Sequence, residues 1–249
     1  MAAIHGFQVF WLGFLSRADA YEMGVPSIPL ALLYGSDAWQ RLATVQMHFR
    51  TPVERIEEGG FVVAGNLLTA DHYISALPFE RLESVGLAAP KFEHSPITGV
   101  HLWFDREITT LPHATLLDRT MQWMFNKDSG RYLQLVVSAS RDLTNLSRGE
   151  IIDMAVGDLR LFFPRVREAT LLKAHVIKEQ RATFSAAPGT EALRPFTETG
   201  AFPNLYLAGD WTRSGWPATM EGAVRSGYLA AEAVTRAAGR PATFLIPDG

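Results

Sequence analysis

A glycine–aspartate pair near the end of the chain is the first candidate for chemistry. The apolar run Leu205–Ala208 ends at Gly209 and Asp210, and residues at helical spacing begin near Pro217. Open α/β sheets bind ligands at the carboxyl ends of their strands, where a carboxylate accepts hydrogen bonds from the hydroxyls of a sugar or polyol. Taken alone, Gly-Asp is also a common turn, which is the simpler interpretation.

The start of the following helix is the second candidate. The first N–H groups of a helix have no partner within it, and the positive end of the helix dipole favours an anion. We therefore expect Ala218, Thr219 and Met220 to offer N–H groups to an anionic ring or a phosphate. Gly222 and Gly227 are costly inside a helix, so we expect a group packed closely against it.

Composition removes several other kinds of site. The chain has no cysteine, which excludes thiolate zinc sites, iron–sulfur clusters and cysteine nucleophiles. Its seven histidines have neither H-x-H nor H-x-x-x-H spacing, so we predict no metal site. Redox chemistry would then need an organic cofactor, and no residue is assigned a catalytic role.

Four tryptophans are candidates for lining an apolar tunnel: Trp103, Trp123, Trp211 and Trp216. Packing in the core is an equal alternative for Trp103 and Trp123, because both lie in predicted strands.

Length and charge bound the class of protein. The 249 residues are 47% hydrophobic and 20% charged, which is typical of a globular chain with one large domain or two interleaved ones. The net charge of −3 and the absence of a basic run argue against a nucleic-acid partner. The apolar run Phe7–Leu15 is short and no Lys or Arg precedes it, so we predict an internal helix or strand rather than a targeting segment, and a cytoplasmic protein.

Alternating apolar residues predict mostly short strands before the final helix. They lie at 52–56, 61–64, 72–77, 97–104, 121–125, 132–139, 171–179 and 205–208.

A long helix is predicted to begin after Ser147, which forms a capping box with Glu150, and to end at Pro164. Its predicted apolar stripe is Ile152, Ala155, Val156, Leu159 and Phe162. The pattern predicts an α+β module at 96–185, flanked by 1–95 and 186–249.

Two long motifs resemble a known signature. The segments LYLAGDWT at 205–212 and GWPATMEGAVRSG at 215–227 resemble the C-terminal flavin-binding signature of the amine oxidase and phytoene desaturase superfamily. The segments 95–98, 101–106, 122–125 and 178–184 are similar to its squalene-associated branch, the hydroxysqualene dehydroxylases of hopanoid-type biosynthesis. The resemblance extends from about Met23 to Val234.

This resemblance implies the C-terminal part of a two-domain, Rossmann-like FAD-binding flavoprotein of mixed α/β and α+β class. The flanking segments would bind FAD, with Asp210 on the ribityl chain, Thr219 and Met220 at the flavin edge, and Val53 at the adenine. The implied cofactor-binding residues are Val53, Ala76, Pro78, Gly209, Asp210, Pro217, Ala218, Thr219 and Met220. The module at 96–185 would be the substrate domain.

One departure from that family concerns the diphosphate. Family members hold it on a G-x-G-x-x-G turn, and this sequence contains no G-x-G. The resemblance therefore implies a chain whose N-terminal dinucleotide-binding half is missing or supplied by another chain. Alone, the chain would purify without bound FAD.

The implied reaction replaces the allylic hydroxyl of an apolar isoprenoid with hydride, as in the conversion of hydroxysqualene to squalene. Carotenoid desaturation and amine oxidation are the alternatives, because the C-terminal signature is common to them. A third alternative, from a different class, is a non-catalytic module that binds an apolar ligand or a partner. Since the expected substrates dissolve in membranes, peripheral contact with the inner face of a membrane is also expected.

Overall fold

The structure is a computed structural model that describes residues 3–35, 39, 42 and 44–246. It is a mixed α/β structure of two compact units. One contains the described residues of Met1–Lys91 and Ala186–Gly249, and the other is Phe92–Ser185. The functional division at 1–95, 96–185 and 186–249 stays a prediction. Within the described residues, no helix combines the length and the apolar character needed to cross a membrane.

Six α-helices are described, and the first continues into a π-helical turn at Trp11–Leu15. The run Phe7–Leu15 is thus helical. The helices are α1 Ala3–Phe10, α2 Leu30–Leu33, α3 Phe79–Leu82, α4 Arg148–Phe162, α5 Thr190–Leu193 and α6 Met220–Ala237. Short 3₁₀ turns occupy Glu83–Val85, Arg141–Leu143 and Pro164–Arg167.

Ten strands are described. They are β1 Val53–Glu57, β2 Gly60–Val63, β3 Asn66–Leu68, β4 Tyr73–Ser75, β5 His94–Phe104, β6 His113–Thr115, β7 Trp123–Asp128, β8 Tyr132–Ser138, β9 Leu171–Phe184 and β10 Leu205–Leu207. The sequence pattern did not predict β3 and β6, because neither lies in an apolar run or an alternation of the kind that marked the other strands.

The first unit contains two small sheets. Strands β1, β2 and β3 form an antiparallel sheet in that order. Strands β4 and β10 pair in parallel, with Leu205 opposite Tyr73 and Leu207 opposite Ser75. All three residues of β10 are buried, as the continuous apolar run predicted. The carboxyl ends of β4 and β10 therefore lie side by side.

The second unit is an antiparallel sheet in the order β6-β7-β8-β5-β9, and α4 packs on one face of it. Residues on alternate positions of β5 confirm the predicted alternation, since Val100, Leu102 and Phe104 are buried in the core. His101 and Trp103 lie on the opposite face.

Helix α4 confirms the predicted capping box, because Glu150 N–H donates to Ser147 Oγ and Ser147 N–H donates to the Glu150 carboxylate. The predicted stripe was partly wrong. The buried residues are Ile151, Ala155 and Leu159, whereas Phe162 is 41% exposed. Residues four apart share one face, which places Ile152 and Val156 at its border.

Candidate functional site

The carboxyl ends of β4 and β10 are linked beyond the last residues of the strands. The N–H of Ala208 donates to the carbonyl oxygen of Ser75 at 2.9 Å, which extends the ladder by one residue. The indole Nε1 of Trp211 then donates to the carbonyl oxygen of Leu77 at 3.0 Å. Trp211 is 1% exposed, so the loop after β10 is packed against the loop after β4.

The close approach of the Trp211 indole requires a glycine at position 209. Its φ is +142°, and a Cβ atom there would lie 2.3 Å from the indole Nε1 of Trp211. Its N–H donates to Ser226 Oγ at 2.7 Å, and that hydroxyl donates to the carbonyl oxygen of Ala223 at 2.6 Å. Gly209 therefore allows Trp211 and α6 to approach the end of β10 together.

The side chain of Arg194 is fully buried beneath the loop that joins β10 to α6. Its guanidinium donates to the carbonyl oxygens of Asp210 at 2.9 Å and Trp216 at 2.7 Å, and to that of Thr212. It also forms an ion pair with Glu191 at 2.7 Å. Sequence reasoning missed Arg194, because its partners on this loop lie 16 to 22 residues further along the chain and no local pattern marks them.

Asp210 is half-buried at the end of β10. Burial raises the pKa of its carboxyl, with a smaller opposing effect from the positive charge of Arg194 and a further increase from Glu80. A carboxylate whose charged form is incompletely solvated gains from hydroxyl or N–H donors on a ligand. Asp210 is therefore a candidate for binding a ligand.

Helix α6 begins later than the sequence predicted. Thr219 is its N-cap, and Thr219 Oγ1 accepts a hydrogen bond from the N–H of Gly222 at 3.0 Å. The first helical N–H groups are therefore those of Met220 and Glu221, and the prediction that Ala218 belongs to this turn was wrong. The N-cap preference of threonine outweighs the pattern that began at Pro217.

The two helix glycines differ in what surrounds them. A Cβ atom at Gly222 would lie 2.6 Å from the carbonyl oxygen of Pro217, which confirms the expected close approach. At Gly227, no described atom outside the chain neighbours and the nearby helix backbone lies within 4 Å of such a Cβ atom, so the expected contact is absent from the described residues.

Four of the nine predicted cofactor residues line two cavities of the first unit. Val53 and Ala76 line a cavity of about 280 Å³ at the carboxyl end of β4. Pro217 and Thr219 line another of about 410 Å³, together with Trp216 and residues of α1. Pro78 is the N-cap of α3. Ala218 is half-buried beside the second cavity's Pro217, and Met220 is 53% exposed.

Trp103 and Trp123 belong to the second unit, whereas Trp216 belongs to the first. The ring of Trp103 stacks on Tyr132 at 4.4 Å, and that of Trp123 stacks on Phe125 at 5.9 Å. All four rings are half-buried on the sheet face opposite the core.

Among the described residues, no group of three His, Cys, Asp or Glu side chains is placed to hold a metal ion.

Comparison with known sequences identifies the family. The sequence model of the flavin-containing amine oxidoreductases matches residues 25–235. The chain belongs to this family. Membership confirms the resemblance in the C-terminal segments and gives flavin as the cofactor type of the family.

Two curated relatives show the range of this flavin-containing oxidoreductase family. A 15-cis-phytoene desaturase from an Oncidium hybrid cultivar is 31% identical over 198 residues, which cover 69% of this chain. A hydroxysqualene dehydroxylase from Sinorhizobium fredii is 34% identical over 152 residues, which cover 59% of this chain. The matched region is 34% of each relative, so the chain spans about a third of their length.

A solved structure supports the fold. Cyclohexylamine oxidase from Brevibacterium oxydans matches with a TM-score of 0.51 and 16% identity, over 76% of this chain and 49% of that protein. The chain is thus a mixed α/β oxidoreductase fold of this family.

Two features of the first unit are chemically suited to part of a flavin nucleotide. Asp210 supplies an incompletely solvated carboxylate, and the first turn of α6 supplies N–H donors with the positive end of the helix dipole. A carboxylate suits polyol hydroxyls, and a helix N-terminus suits the electron-rich edge of a flavin ring.

Proposed function

We propose that the first unit binds FAD across the carboxyl ends of β4 and β10. The observation that carries this proposal is the half-buried carboxyl of Asp210, whose pKa is raised by burial at the point where the parallel strands end. Asp210 would accept hydrogen bonds from ribityl hydroxyls. Thr219 and Met220 would bind the flavin edge, and Val53, Ala76 and Pro78 would contact the nucleotide.

Gly209, Pro217 and Ala218 would permit the close approach of backbone to cofactor. Gly209 has a left-handed φ, and Pro217 directs its carbonyl oxygen toward α6. The diphosphate would require a cradle outside these residues, which a dinucleotide-binding half with a G-x-G-x-x-G turn would supply.

The proposed reaction is reductive dehydroxylation of an apolar isoprenoid alcohol, with hydroxysqualene as substrate and squalene as product. Reduced FAD supplies the hydride that forms the new C–H bond, and the hydroxyl leaves with a proton as water. The 34% identity with a hydroxysqualene dehydroxylase supports this substrate. The apolar surroundings of Trp216 and Pro217 support it as well, because a carbon centre that loses hydroxide must be shielded from water.

Aromatic residues of the second unit are a separate candidate for binding a hydrocarbon. Trp103 and Trp123 lie on one sheet face and are stacked on neighbouring rings, which holds their orientation. Stacked, half-buried rings provide a rigid apolar surface for a long isoprenoid.

Phytoene desaturation is the second candidate. Its support is the match to a 15-cis-phytoene desaturase over 69% of this chain, which is more than the 59% matched by the dehydroxylase. The two reactions differ in direction, because desaturation removes hydrogen from carbon and dehydroxylation adds it. Product analysis therefore separates them.

The experiment supplies the chain with reduced FAD under anaerobic conditions in D₂O, where N5 carries deuterium. The chain is used alone and fused to the dinucleotide-binding half of the Sinorhizobium fredii dehydroxylase. Hydroxysqualene and phytoene are offered separately, and products are analysed by mass spectrometry. Squalene with one deuterium at the carbon that carried oxygen supports dehydroxylation. Desaturation is supported instead if phytoene, supplied with oxidised FAD, is converted to a product with more double bonds while hydroxysqualene is not converted.

Peripheral contact with a membrane is part of the proposal. Helix α1 and its π-helical turn carry large apolar side chains with more than half of their surface exposed, namely Phe7, Phe10, Phe14 and Leu15. Such a surface suits the boundary between headgroups and acyl chains, from which an isoprenoid would enter. Sedimentation with phospholipid vesicles tests this contact, and a chain that stays in the supernatant contradicts it.

A further inference from the structure

The cavity between α1 and the loop before α6 has an apolar lining with few polar side chains. Val9, Leu12, Trp216 and Pro217 contribute apolar surface to its volume of about 410 Å³. Thr219 also borders it, but its hydroxyl already donates to the carbonyl oxygen of Pro217 and accepts from Gly222 N–H. The remaining polar side chains are His5 and Gln8, both on α1.

Gln8 fixes the position of a proton on His5. Its Nε2 lies 2.7 Å from the carbonyl oxygen of Gly215, which only accepts hydrogen bonds, so this atom is the amide nitrogen. The other amide atom, Oε1, lies 3.2 Å from His5 Nδ1. Because Gln8 Oε1 only accepts, His5 Nδ1 must carry the hydrogen.

The neutral His5 ring is therefore left with an acceptor at Nε2. Its side chain is almost fully buried, with 6% of the residue exposed, and it lines the cavity. Among the described residues, the bond to Gln8 is the hydrogen bond that His5 makes. An acceptor without a protein partner on an apolar cavity is stabilised by a ligand that brings a single donor.

We propose that this cavity binds the hydroxyl-bearing end of a long apolar alcohol, whose O–H donates to His5 Nε2. The hydrocarbon part would contact Leu12 and Trp216. The inference rests on the proposed function only for the identity of the alcohol, and it adds the residue that recognises the hydroxyl.

The test compares farnesol with the corresponding hydrocarbon, in which hydrogen replaces the hydroxyl. The purified 249-residue chain is titrated with each compound without flavin, and binding is followed by tryptophan fluorescence. We expect farnesol to bind roughly 2- to 10-fold more tightly, which is the effect of one net hydrogen bond. His5→Phe should abolish this preference. The control His113→Phe, in the second unit, should retain it.

A second measurement requires no variant. Nitrogen-15 NMR of the histidine rings should show that neutral His5 carries its proton on Nδ1, and farnesol should shift the Nε2 resonance. Equal binding of the two compounds, a preference that survives His5→Phe, or a neutral ring protonated at Nε2 overturns the proposal. Since no flavin is present, these outcomes are independent of the conversion of hydroxysqualene, whose failure overturns the proposed function alone.

Discussion

The guanidinium of Arg194 donates from Nη2 to the backbone carbonyl oxygen of Asp210 at 2.9 Å. The same buried side chain bonds to the carbonyl oxygens of Thr212 and Trp216. One arginine side chain thus binds the backbone at both ends of the loop between β10 and α6. The geometry of the proposed flavin site depends on a residue that has no direct part in flavin chemistry.

Replacement of this arginine should strongly destabilise the chain. Arg194→Met leaves three carbonyl oxygens without their donor and Glu191 without its ion pair, so we expect a loss of about 3 kcal/mol or more in the free energy of unfolding. Urea unfolding followed by circular dichroism measures it. The matched control is Arg236→Met, which removes an exposed ion pair with Glu198 and should cost less than about 1 kcal/mol. Equal losses in the two variants would contradict the role of Arg194.

Two glycine substitutions should change the stability of the chain in opposite directions. Gly209→Ala places a methyl group against the indole of Trp211 at a left-handed φ, so we expect destabilisation by about 2 kcal/mol or more. Gly227→Ala lies inside α6 in open space and should stabilise the chain by about 0.5–1 kcal/mol, because alanine restricts the unfolded state. Thermal unfolding of both variants provides the measurement. A destabilised Gly227→Ala would reveal a contact that the described atoms do not include.

Much of the local structure could be predicted because it depends on neighbours in sequence. The capping box at Ser147 and the alternation of β5 are determined within a few residues, and the structure confirms both. The sequence prediction placed the start of α6 near Pro217, which is before the Thr219 N-cap that begins the helix in the structure. Short strands such as β3 gave no signal, since they exist only through pairing with a neighbour.

The type of site could be predicted from the sequence, but the residues that hold its loop in place could not. Gly209 and Asp210 could be identified because a strand that ends in glycine and aspartate before a helix has a recognisable order. Arg194 and Ser226 could not, because each acts through a contact with residues 16 or more positions away. The spacing of the histidines bore only on metal binding and gave no sign of His5, whose proposed role depends on Gln8 and on a carbonyl 207 residues from Gln8.

Asp210→Asn should stabilise the empty chain and weaken its binding of FAD. Burial raises the pKa of Asp210, so the folded state binds more protons than the unfolded state, and stability decreases as pH rises from about 4 through the raised pKa. The amide removes this decrease. The variant should therefore be more stable at pH 7, and the difference should disappear below about pH 4.

The same variant loses a charged acceptor for the ribityl hydroxyls. Since a hydrogen bond to a charged group contributes about 1.5–3 kcal/mol, FAD affinity should decrease by roughly 10- to 150-fold. Quenching of flavin fluorescence measures the affinity. Unchanged FAD affinity would show that Asp210 is only a turn residue.

His101 should titrate below its usual range. Burial lowers the pKa of His101, and the positive charges of His175 and Lys127 lower it further. Its Nδ1 lies 2.7 Å from the hydroxyl of Tyr132, whose own pKa is raised by burial, so this partner stays neutral. Because the folded state resists protonation, the unfolded state binds more protons below about pH 6.5, and stability decreases as pH falls through that range.

Proton NMR of the imidazole C–H groups measures this pKa directly. His175→Gln removes the facing ring and should move the pKa of His101 upward, toward its ordinary value of about 6.5. His101→Gln should remove part of the loss of stability on the acid side, because the buried proton acceptor is gone. A pKa of His101 at or above 6.5 in the unsubstituted chain would contradict the packing of this ring between Trp103, Tyr132 and His175.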